Sequence, residues 1–355
     1  MNPKNNYAVI LASGTGVRLW PISTTKKPKQ FLDLLGIGKT FIQLTYDRLK
    51  KVVPTENIFI LTTQDYVDLV KEQITEITDD NLIIEPRIMK TAACNLLAAK
   101  LIDQKNKDAK IIISPSTHLI YDAQDFVENV HAAFDFANDN NLVILGATPN
   151  RPDSNLSYVQ FIASDDKIKK IKTFVDKPNA EFAETFITSG DFLWNTGVLI
   201  YSAKSIISAF EKFAPSISEG LDLYFNQPNQ NFETLKPIYN SLDVMSINNA
   251  ILDKAQNVYV IPTNMGWNDF GTWDAIDYFY QSKPSKTNLN RAIKRINTEN
   301  TFIYTNQNKG IIVDGLKDYI VINSENGLLI CPKENINEIK TYVSDLKLNK
   351  GEKYC

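Results

Sequence analysis

Short apolar runs alternate with longer segments of helical spacing over the first 146 residues of the chain. Continuous apolar runs bounded by turn residues are typical of buried strands, and apolar residues three or four positions apart are typical of helices. The predicted strands are 7–12, 57–62, 81–85, 110–114 and 142–146, and the predicted helices are 41–52, 66–77, 91–105 and 125–138. This order predicts an α/β, Rossmann-like fold with a mixed, mostly parallel sheet flanked by helices.

The pattern changes after residue 158 and again near residue 289. The middle segment predicts strands at 158–162, 168–175 and 198–201, helices at 180–189 and 205–213, and a loop with a short helix over 215–240. Four short strands at 301–304, 309–313, 319–323 and 327–331 then precede a helix at 335–346. We therefore expect a small C-terminal β-rich module, for which a β-helix is one candidate arrangement. Breakers at 282–285 place the boundary there and give domains 1–285 and 286–355.

Composition and charge exclude several classes of protein. The 355 residues carry 38 Lys and Arg against 41 Asp and Glu, so the net charge of −3 gives no general reason to bind nucleic acid or an anionic membrane. Three distant cysteines and only two histidines argue against a disulfide scaffold or a structural zinc site. The N-terminus lacks the apolar stretch of a signal peptide, and no apolar run approaches the ~20 residues that span a bilayer. We expect a cytoplasmic protein.

A glycine loop follows the first predicted strand. Gly14 and Gly16 leave room for backbone N–H groups to approach phosphate oxygens, and Arg18 and Lys29 add cationic donors. The loop matches neither the G-x-G-x-x-G pattern of dinucleotide-binding loops nor the GxxxxGK[ST] pattern of Walker loops. A purely structural turn is the alternative interpretation, and the two nearby cations favour a phosphate site.

Several segments resemble, in the same order, the motifs of nucleoside-diphosphate-sugar pyrophosphorylases, and within them those of mannose-1-phosphate guanylyltransferases. The family patterns are GGxGTRLWP, PKQF, EP…RNTAP, PxDH, EKP, WNSG and GWSDxGSW. The similar segments of this chain are ASGTGVRLWP at 12–21, PKQF at 28–31, EP at 85–86, TA at 91–92, SPSTH at 114–118, DKP at 176–178, WNTG at 194–197 and GWNDFGTW at 266–273. The resemblance therefore covers most of the chain.

This resemblance implies a reaction that joins a nucleoside triphosphate to a sugar 1-phosphate and releases pyrophosphate. It implies that Arg18 and Lys29 are catalytic and that Asp269 holds Mg²⁺, with Thr117 at the other metal position. The implied nucleotide-binding residues are Ala12, Ser13, Gly14, Thr15, Gly16, Glu85, Pro86 and Thr91, and the implied sugar-phosphate-binding residues are Asp176, Lys177 and Asn195. The implied partners are GTP and a hexose 1-phosphate. Formation of a homo-oligomer stays open, with the C-terminal module as the candidate surface.

Some positions depart from the family patterns. Thr117 stands where the family has a metal-binding aspartate, and a neutral hydroxyl cannot replace the charge of a carboxylate. Ser13 replaces a loop glycine, and Val17 replaces a loop threonine. Met89-Lys90 differs from the guanine-side pattern, and the segment 153–159 loses both glycines of ETGYGYI, one of them at Ser157.

These departures leave three hypotheses. The leading one is a nucleotidyltransferase that converts GTP and mannose 1-phosphate to GDP-mannose and pyrophosphate. The second is a catalytically weak or inactive paralogue that binds a nucleotide sugar and regulates or scaffolds a partner. The third is a related nucleotidyltransferase with a different sugar 1-phosphate or base. Ordinary structural roles also stand beside the functional ones: the tryptophans as packing residues, Asp176-Lys177 as a solvated turn, and Asp269 as a helix cap.

Overall fold

The computed structural model describes residues 3–282, 292–351 and 353. They belong to two compact units, each assembled from segments that are distant in sequence. The first comprises Met1–Ser13, Thr45–Ser116 and Ile120–Trp267, and the second comprises Gly14–Leu44, Thr117–Leu119 and Asn268–Cys355. The domain boundary expected near residue 285 lies outside the described residues and stays a prediction.

The elements are numbered in chain order. The strands are β1 (Asn6–Leu11), β2 (Ile58–Thr63), β3 (Leu82–Glu85), β4 (Lys110–Pro115), β5 (His118–Leu119), β6 (Leu142–Ala147), β7 (Tyr158–Phe161), β8 (Lys169–Val175), β9 (Phe192–Ser202), β10 (Val258–Thr263), β11 (Asn268–Asp269), β12 (Ile293–Ile296), β13 (Phe302–Thr305), β14 (Ile311–Asp314), β15 (Tyr319–Asn323) and β16 (Leu328–Pro332). The α-helices are α1 (Phe41–Leu49), α2 (Val67–Gln73), α3 (Thr91–Lys105), α4 (Ala123–Phe136), α5 (Ala180–Ser189), α6 (Ala203–Phe213), α7 (Pro215–Phe225), α8 (Phe232–Ser241), α9 (Trp273–Ser282) and α10 (Ile339–Lys350), and a π-helix spans Asn248–Leu252.

A nine-stranded sheet organises the first unit, in the order β3-β2-β1-β4-β9-β6-β10-β8-β7, with a further pairing between β9 and β7. β1 pairs in parallel with β2 and β4, β2 pairs in parallel with β3, and β6 pairs in parallel with β10. β8 and β9 run antiparallel to all their neighbours, so seven of the nine strands share one direction. This is the mixed, mostly parallel sheet that the sequence predicted.

Burial on both faces explains the continuous apolar runs of these strands. Every residue of β2 and of β6 is buried, as expected where helices cover both faces of a parallel sheet. Helix α3 is buried at each position from Ala92 to Ala99, which is why its sequence there is rich in small and apolar residues. None of the helices in the described ranges is both long enough and apolar enough to cross a membrane.

The far edge of the sheet brings three motifs together. β7 pairs with β8 on one side and with β9 on the other, so Tyr158 lies opposite both Val175 and Trp194. Ser157 therefore precedes a strand whose neighbours lead directly to Asp176 and Asn195. The sheet, and not proximity in sequence, makes these residues neighbours.

Four strands of the second unit, β12 to β15, form coils of constant length. Ile293 pairs with Ile311 and Phe302 pairs with Ile320, both in parallel and both 18 residues apart in sequence. The interior of the coils holds a small apolar cluster of Ile303, Val313 and Val321. A constant residue count between stacked parallel strands is the geometry of a β-helix, so the candidate arrangement for this module is confirmed.

Parts of the secondary structure differ from the prediction. The segment 215–240 is not a loop with one short helix, because α7 and α8 occupy most of it. Pro215 at the start of α7 and the capping box of Asn231 and Thr234 at the start of α8 are helix-start signals that the aromatic and Asn-rich composition obscured. Strands β10 and β12 and the first half of β9 were also not predicted.

Candidate active site

Two side chains hold the glycine loop through its carbonyl groups. Gln30 donates from Nε2 to the Gly14 carbonyl at 2.8 Å, and Ser23 donates from Oγ to the Thr15 carbonyl at 3.4 Å. A trans peptide places its C=O and N–H on opposite sides. The N–H groups of Thr15 and Gly16 therefore point away from Gln30 and Ser23, as a loop that binds an anion requires.

The two glycines of this loop have different roles. Gly16 has φ +62°, and a Cβ there would clash with Ser23 Oγ and lie 3.0 Å from both the backbone N and Cγ of Lys29. The fold therefore requires glycine at this position. A Cβ at Gly14 would meet no atom within 4 Å, so the space beside this glycine is open.

Lys29 lies in a 3₁₀ turn over Lys29–Phe31, with its side chain about 15% exposed. Nζ donates to the Phe270 carbonyl at 3.1 Å and lies 3.9 Å from Asp269 Oδ1. Burial lowers the pKa of Lys29 below its usual range, Asp269 opposes that shift, and Arg18 adds to it. The second unit thus holds a largely buried ammonium group directly beside a carboxylate.

Asp269 belongs to a short ladder that also positions Thr117. β11 pairs antiparallel with β5, which puts Asp269 opposite His118, the residue after Thr117. Of the two metal positions implied by the family, Asp269 therefore lies on β11 and Thr117 directly precedes the paired strand β5. A Cβ at Gly271 would lie 2.9 Å from Asp269 Oδ2 and 3.4 Å from Arg18 Nη2, so this glycine leaves room for both groups.

The donors at this ladder are few. In the part of the chain that the structure describes, no group of three or more His, Cys, Asp and Glu residues could hold a metal ion. Asp269 is 28% exposed, whereas Thr117 is buried. The hydroxyl of Thr272 accepts from Ala275 N at 3.4 Å near the start of α9. Thr272 thus has the helix-capping role that was the alternative interpretation of Asp269.

A buried carboxylate lies at the carboxyl edge of the sheet in the first unit. Glu85, at the end of β3, is 2% exposed, and Tyr239 Oη donates to its Oε2 at 2.7 Å. Burial raises the pKa of Glu85 to about 6, against the opposing effects of the Ser13 hydroxyl, Tyr239 and the Met89 N–H. Glu85 therefore holds neighbouring segments together, and its side chain is not open to solvent.

The other predicted nucleotide-binding residues of the first unit are hydrogen-bonded or at least partly buried. Ala12 donates from its N–H to the Leu61 carbonyl at 2.8 Å, and the Thr91 hydroxyl accepts from Ile247 N at 2.9 Å. Ser13 is 8% exposed, and its hydroxyl is buried and faces Glu85. The Ser13 side chain therefore exposes no polar atom to solvent. Pro86, partly buried, follows Glu85 directly.

The predicted sugar-phosphate residues cluster elsewhere in the first unit. Ser157 donates from Oγ to Asp176 Oδ1 at 2.6 Å, and its carbonyl accepts from Asn195 N at 2.8 Å. Asn195 also donates from Nδ2 to Asn248 Oδ1 at 3.5 Å. Lys177 is exposed and has φ +45°, a conformation that side-chain-bearing residues rarely adopt. The structure thus brings Ser157, Asp176 and Asn195 together next to the exposed Lys177.

Sequence reasoning missed several residues that shape these clusters. Gln30 and Ser23 hold the glycine loop, and Tyr239 bonds the buried Glu85. Gln30 lies inside a motif that was recognised, so its amide was a visible signal. Tyr239 had no such signal, because it belongs to α8, which was not predicted.

Comparison with family models shows the family to which the chain belongs. A family model described as "Nucleotidyl transferase" matches residues 7–283. The chain belongs to the nucleotidyl transferase family. A second model, described as "MannoseP isomerase/GMP-like beta-helix domain", matches residues 291–346 of this nucleotidyl transferase and agrees with the 18-residue coils of its second unit.

Two bacterial proteins and one solved structure are similar to nearly the whole chain. The chain is 28% identical to a mannose-1-phosphate guanylyltransferase of Escherichia coli, over 96% of this chain and 75% of the relative. It is also 28% identical to a mannose-1-phosphate guanylyltransferase of Klebsiella pneumoniae, over 98% of this chain and 75% of the relative. A solved "mannose-1-phosphate geranyltransferase" from Thermus thermophilus superposes with a TM-score of 0.82 and 26% identity, over 97% of this chain and 99% of that one. The family predicted from the motifs is therefore confirmed.

Proposed function

We propose that this nucleotidyl transferase joins GTP and mannose 1-phosphate to give GDP-mannose and pyrophosphate. An oxygen of the sugar phosphate attacks the α-phosphorus of GTP, the bond from that phosphorus to the β-phosphate bridging oxygen breaks, and pyrophosphate leaves. The observation that carries the proposal is the packing of Lys29 against the glycine loop, beside Asp269. The names of the two bacterial relatives support the choice of substrates.

The residues of the second unit would act on the triphosphate. The N–H groups of Thr15 and Gly16 would bind phosphate oxygens, and Arg18 would neutralise them. Lys29 would stabilise negative charge as the α-phosphorus reacts, since a fixed donor in a partly dehydrated site is worth more than one in water.

The residues of the first unit would bind the sugar phosphate and the base. Lys177 would neutralise the phosphate of mannose 1-phosphate, and Asp176 and Asn195 would bind sugar hydroxyls. Glu85 would help to hold the segment 85–91 in place for the nucleotide, because its carboxylate is buried against Tyr239 and the Met89 N–H. Precise positioning of two anions is the main catalytic task in such a transfer.

The donor set fits Mg²⁺ held jointly by Asp269 and substrate phosphates. Mg²⁺ commonly binds one or two carboxylates, several waters and phosphate oxygens, and the single, partly exposed carboxylate of Asp269 is compatible with that coordination. When bound, the ion would neutralise charge on the phosphates. Thr117 adds no charge, so we propose weaker metal binding than an aspartate at that position would give.

The test is release of pyrophosphate by purified protein with GTP, mannose 1-phosphate and Mg²⁺. We expect turnover that falls by about 10²–10³-fold in Asp269→Asn. Asp345→Asn removes a carboxylate that is exposed on α10 and serves as the matched control. A panel of other sugar 1-phosphates and nucleoside triphosphates tests the hypothesis of a different substrate pair.

The buried Thr117 is the observation that favours the second hypothesis, a weak or inactive paralogue. If no substrate pair gives turnover above that of Asp269→Asn, the enzymatic proposal is wrong. Turnover that then appears in Thr117→Asp, with Thr117→Asn as its neutral counterpart, would assign the loss to the missing carboxylate.

A further inference from the structure

Ser157 is bound to its surroundings through both its main chain and its side chain. Its carbonyl accepts from Asn195 N at 2.8 Å, which fixes the residue against β9. Its hydroxyl donates to Asp176 Oδ1 at 2.6 Å. The hydroxyl therefore has a defined direction, and it restrains rotation of the Asp176 carboxylate.

This bond decides how Asp176 can meet a ligand. In the described part of the chain, the Ser157 hydroxyl is the hydrogen-bond donor to Asp176, and it occupies Oδ1. Oδ2 is then the oxygen that a ligand hydroxyl can reach. Asp176 is exposed, so a small ligand can approach without displacing protein groups.

The backbone around this pair is unusual at two independent places. Lys177, next to Asp176, has φ +45°. The π-helix Asn248–Leu252 ends just before Asp253, whose pKa is raised by burial and by repulsion from the Asp176 carboxylate. Strained residues and π-helical turns occur preferentially at functional sites, since a fold retains them only where something offsets their cost.

We propose that Ser157 is a positioning residue that sets the sugar preference of this site. Its hydroxyl orients the Asp176 carboxylate toward particular hydroxyl groups of a hexose 1-phosphate. The inference rests on the proposed function and deepens it. Without the Ser157 hydroxyl, the carboxylate rotates and its charge is less well directed. Affinity for the preferred sugar then falls, and discrimination between sugars that differ at one hydroxyl narrows.

The experiment compares Ser157→Ala and Ser157→Thr with the wild type, and measures kcat and KM for mannose 1-phosphate, glucose 1-phosphate and GTP. We expect Ser157→Ala to raise the KM for mannose 1-phosphate about 3- to 10-fold, the worth of one net hydrogen bond, with kcat and the KM for GTP unchanged. Ser157→Thr keeps the hydroxyl and should restore most of the affinity.

A second serine provides a matched control. Ser189 Oγ donates to Asp191 Oδ1 at 2.7 Å on the surface of the same unit, so Ser189→Ala removes an equivalent bond outside the site. An unchanged KM for mannose 1-phosphate in Ser157→Ala, or an equal change in Ser189→Ala, overturns the inference.

Binding separates this inference from the proposed function. If the wild type gives no pyrophosphate, calorimetric titration with mannose 1-phosphate alone tests Ser157 directly. Weaker binding by Ser157→Ala than by the wild type and Ser189→Ala supports the positioning role even without turnover. Equal affinities, or no binding by the wild type, overturn it.

Discussion

At the scale of single residues, the absence of a side chain matters at two positions of the second unit. Gly16 combines a left-handed backbone with direct contact to Lys29, and Gly271 leaves the space beside Asp269 and Arg18 open. Each glycine allows charged groups to approach backbone that a Cβ would keep away. The charged side chains of the candidate site thus depend on neighbours that carry no charge.

Gly16→Ala should therefore damage the site as well as the stability of the chain. We expect a loss of roughly 1–2 kcal/mol from the left-handed backbone, together with a displaced Lys29 and a large fall in kcat. Gly190 has φ +75° and open space around its Cβ position, so Gly190→Ala carries the same backbone strain without the collision. Denaturant unfolding and pyrophosphate release on both variants check this, and equal effects on kcat would contradict it.

At the scale of elements, the β-helix depends on repeated turns with left-handed residues. Asn297 and Asn300 have φ +47° and +43°, and they donate to Asp314 at 3.1 Å and to Asp318 at 2.6 Å on the next coil. Asn tolerates this conformation and bonds across the coils. The turns thus set the coil length that keeps the strands in register.

Substitutions at Asn300 separate these two contributions. Asn300→Gly loses the side-chain bonds to Asp318 and Lys333 but keeps the easy backbone conformation. Asn300→Ala loses both, so we expect it to be less stable than Asn300→Gly by about 1–2 kcal/mol. Urea unfolding of the full chain measures the difference. A stability of the alanine variant equal to or above that of the glycine variant would show that the backbone conformation contributes nothing.

Elements were predictable where local pattern and tertiary burial agree. Helix α3 was predicted with its observed bounds, because its apolar and alanine-rich sequence is both helix-forming and buried. Helix α5 was also predicted with its observed bounds, and Gly190 ends it. The first half of β9 was not, because Asn195 and Gly197 interrupt its apolar pattern at the point where the strand enters the candidate site.

At the scale of the whole molecule, a net charge of −3 hides opposed local environments. The second unit holds the largely buried Lys29, and the first unit holds the buried Glu85. Burial disfavours the charged form of both groups, so it lowers the pKa of Lys29 and raises that of Glu85. Burial of the charged form of either group therefore costs stability.

Glu85 makes the stability of the molecule depend on pH. Its pKa of about 6 when folded lies above its ordinary value of 4.5, so the folded state holds the proton more tightly than the unfolded state does. This contribution to stability is fully present below pH 4.5 and is lost as the pH rises through about 6. Between pH 4.5 and pH 7, the unfolding free energy of the wild type should fall by roughly 2 kcal/mol relative to that of Glu85→Gln, because the amide does not titrate. Urea unfolding across this range checks it, and parallel profiles would contradict it.

The sequence by itself determined the fold class, the family and the identity of most candidate site residues, since periodicity and motif order are local properties of the chain. Only the tertiary structure decided what surrounds those residues. It turned Ser13 and Glu85 into a buried pair, set Lys29 beside Asp269, and joined Ser157 to Asp176 through strand pairing. Burial and the pairing of distant segments depend on the whole packed chain, and no local pattern encodes them.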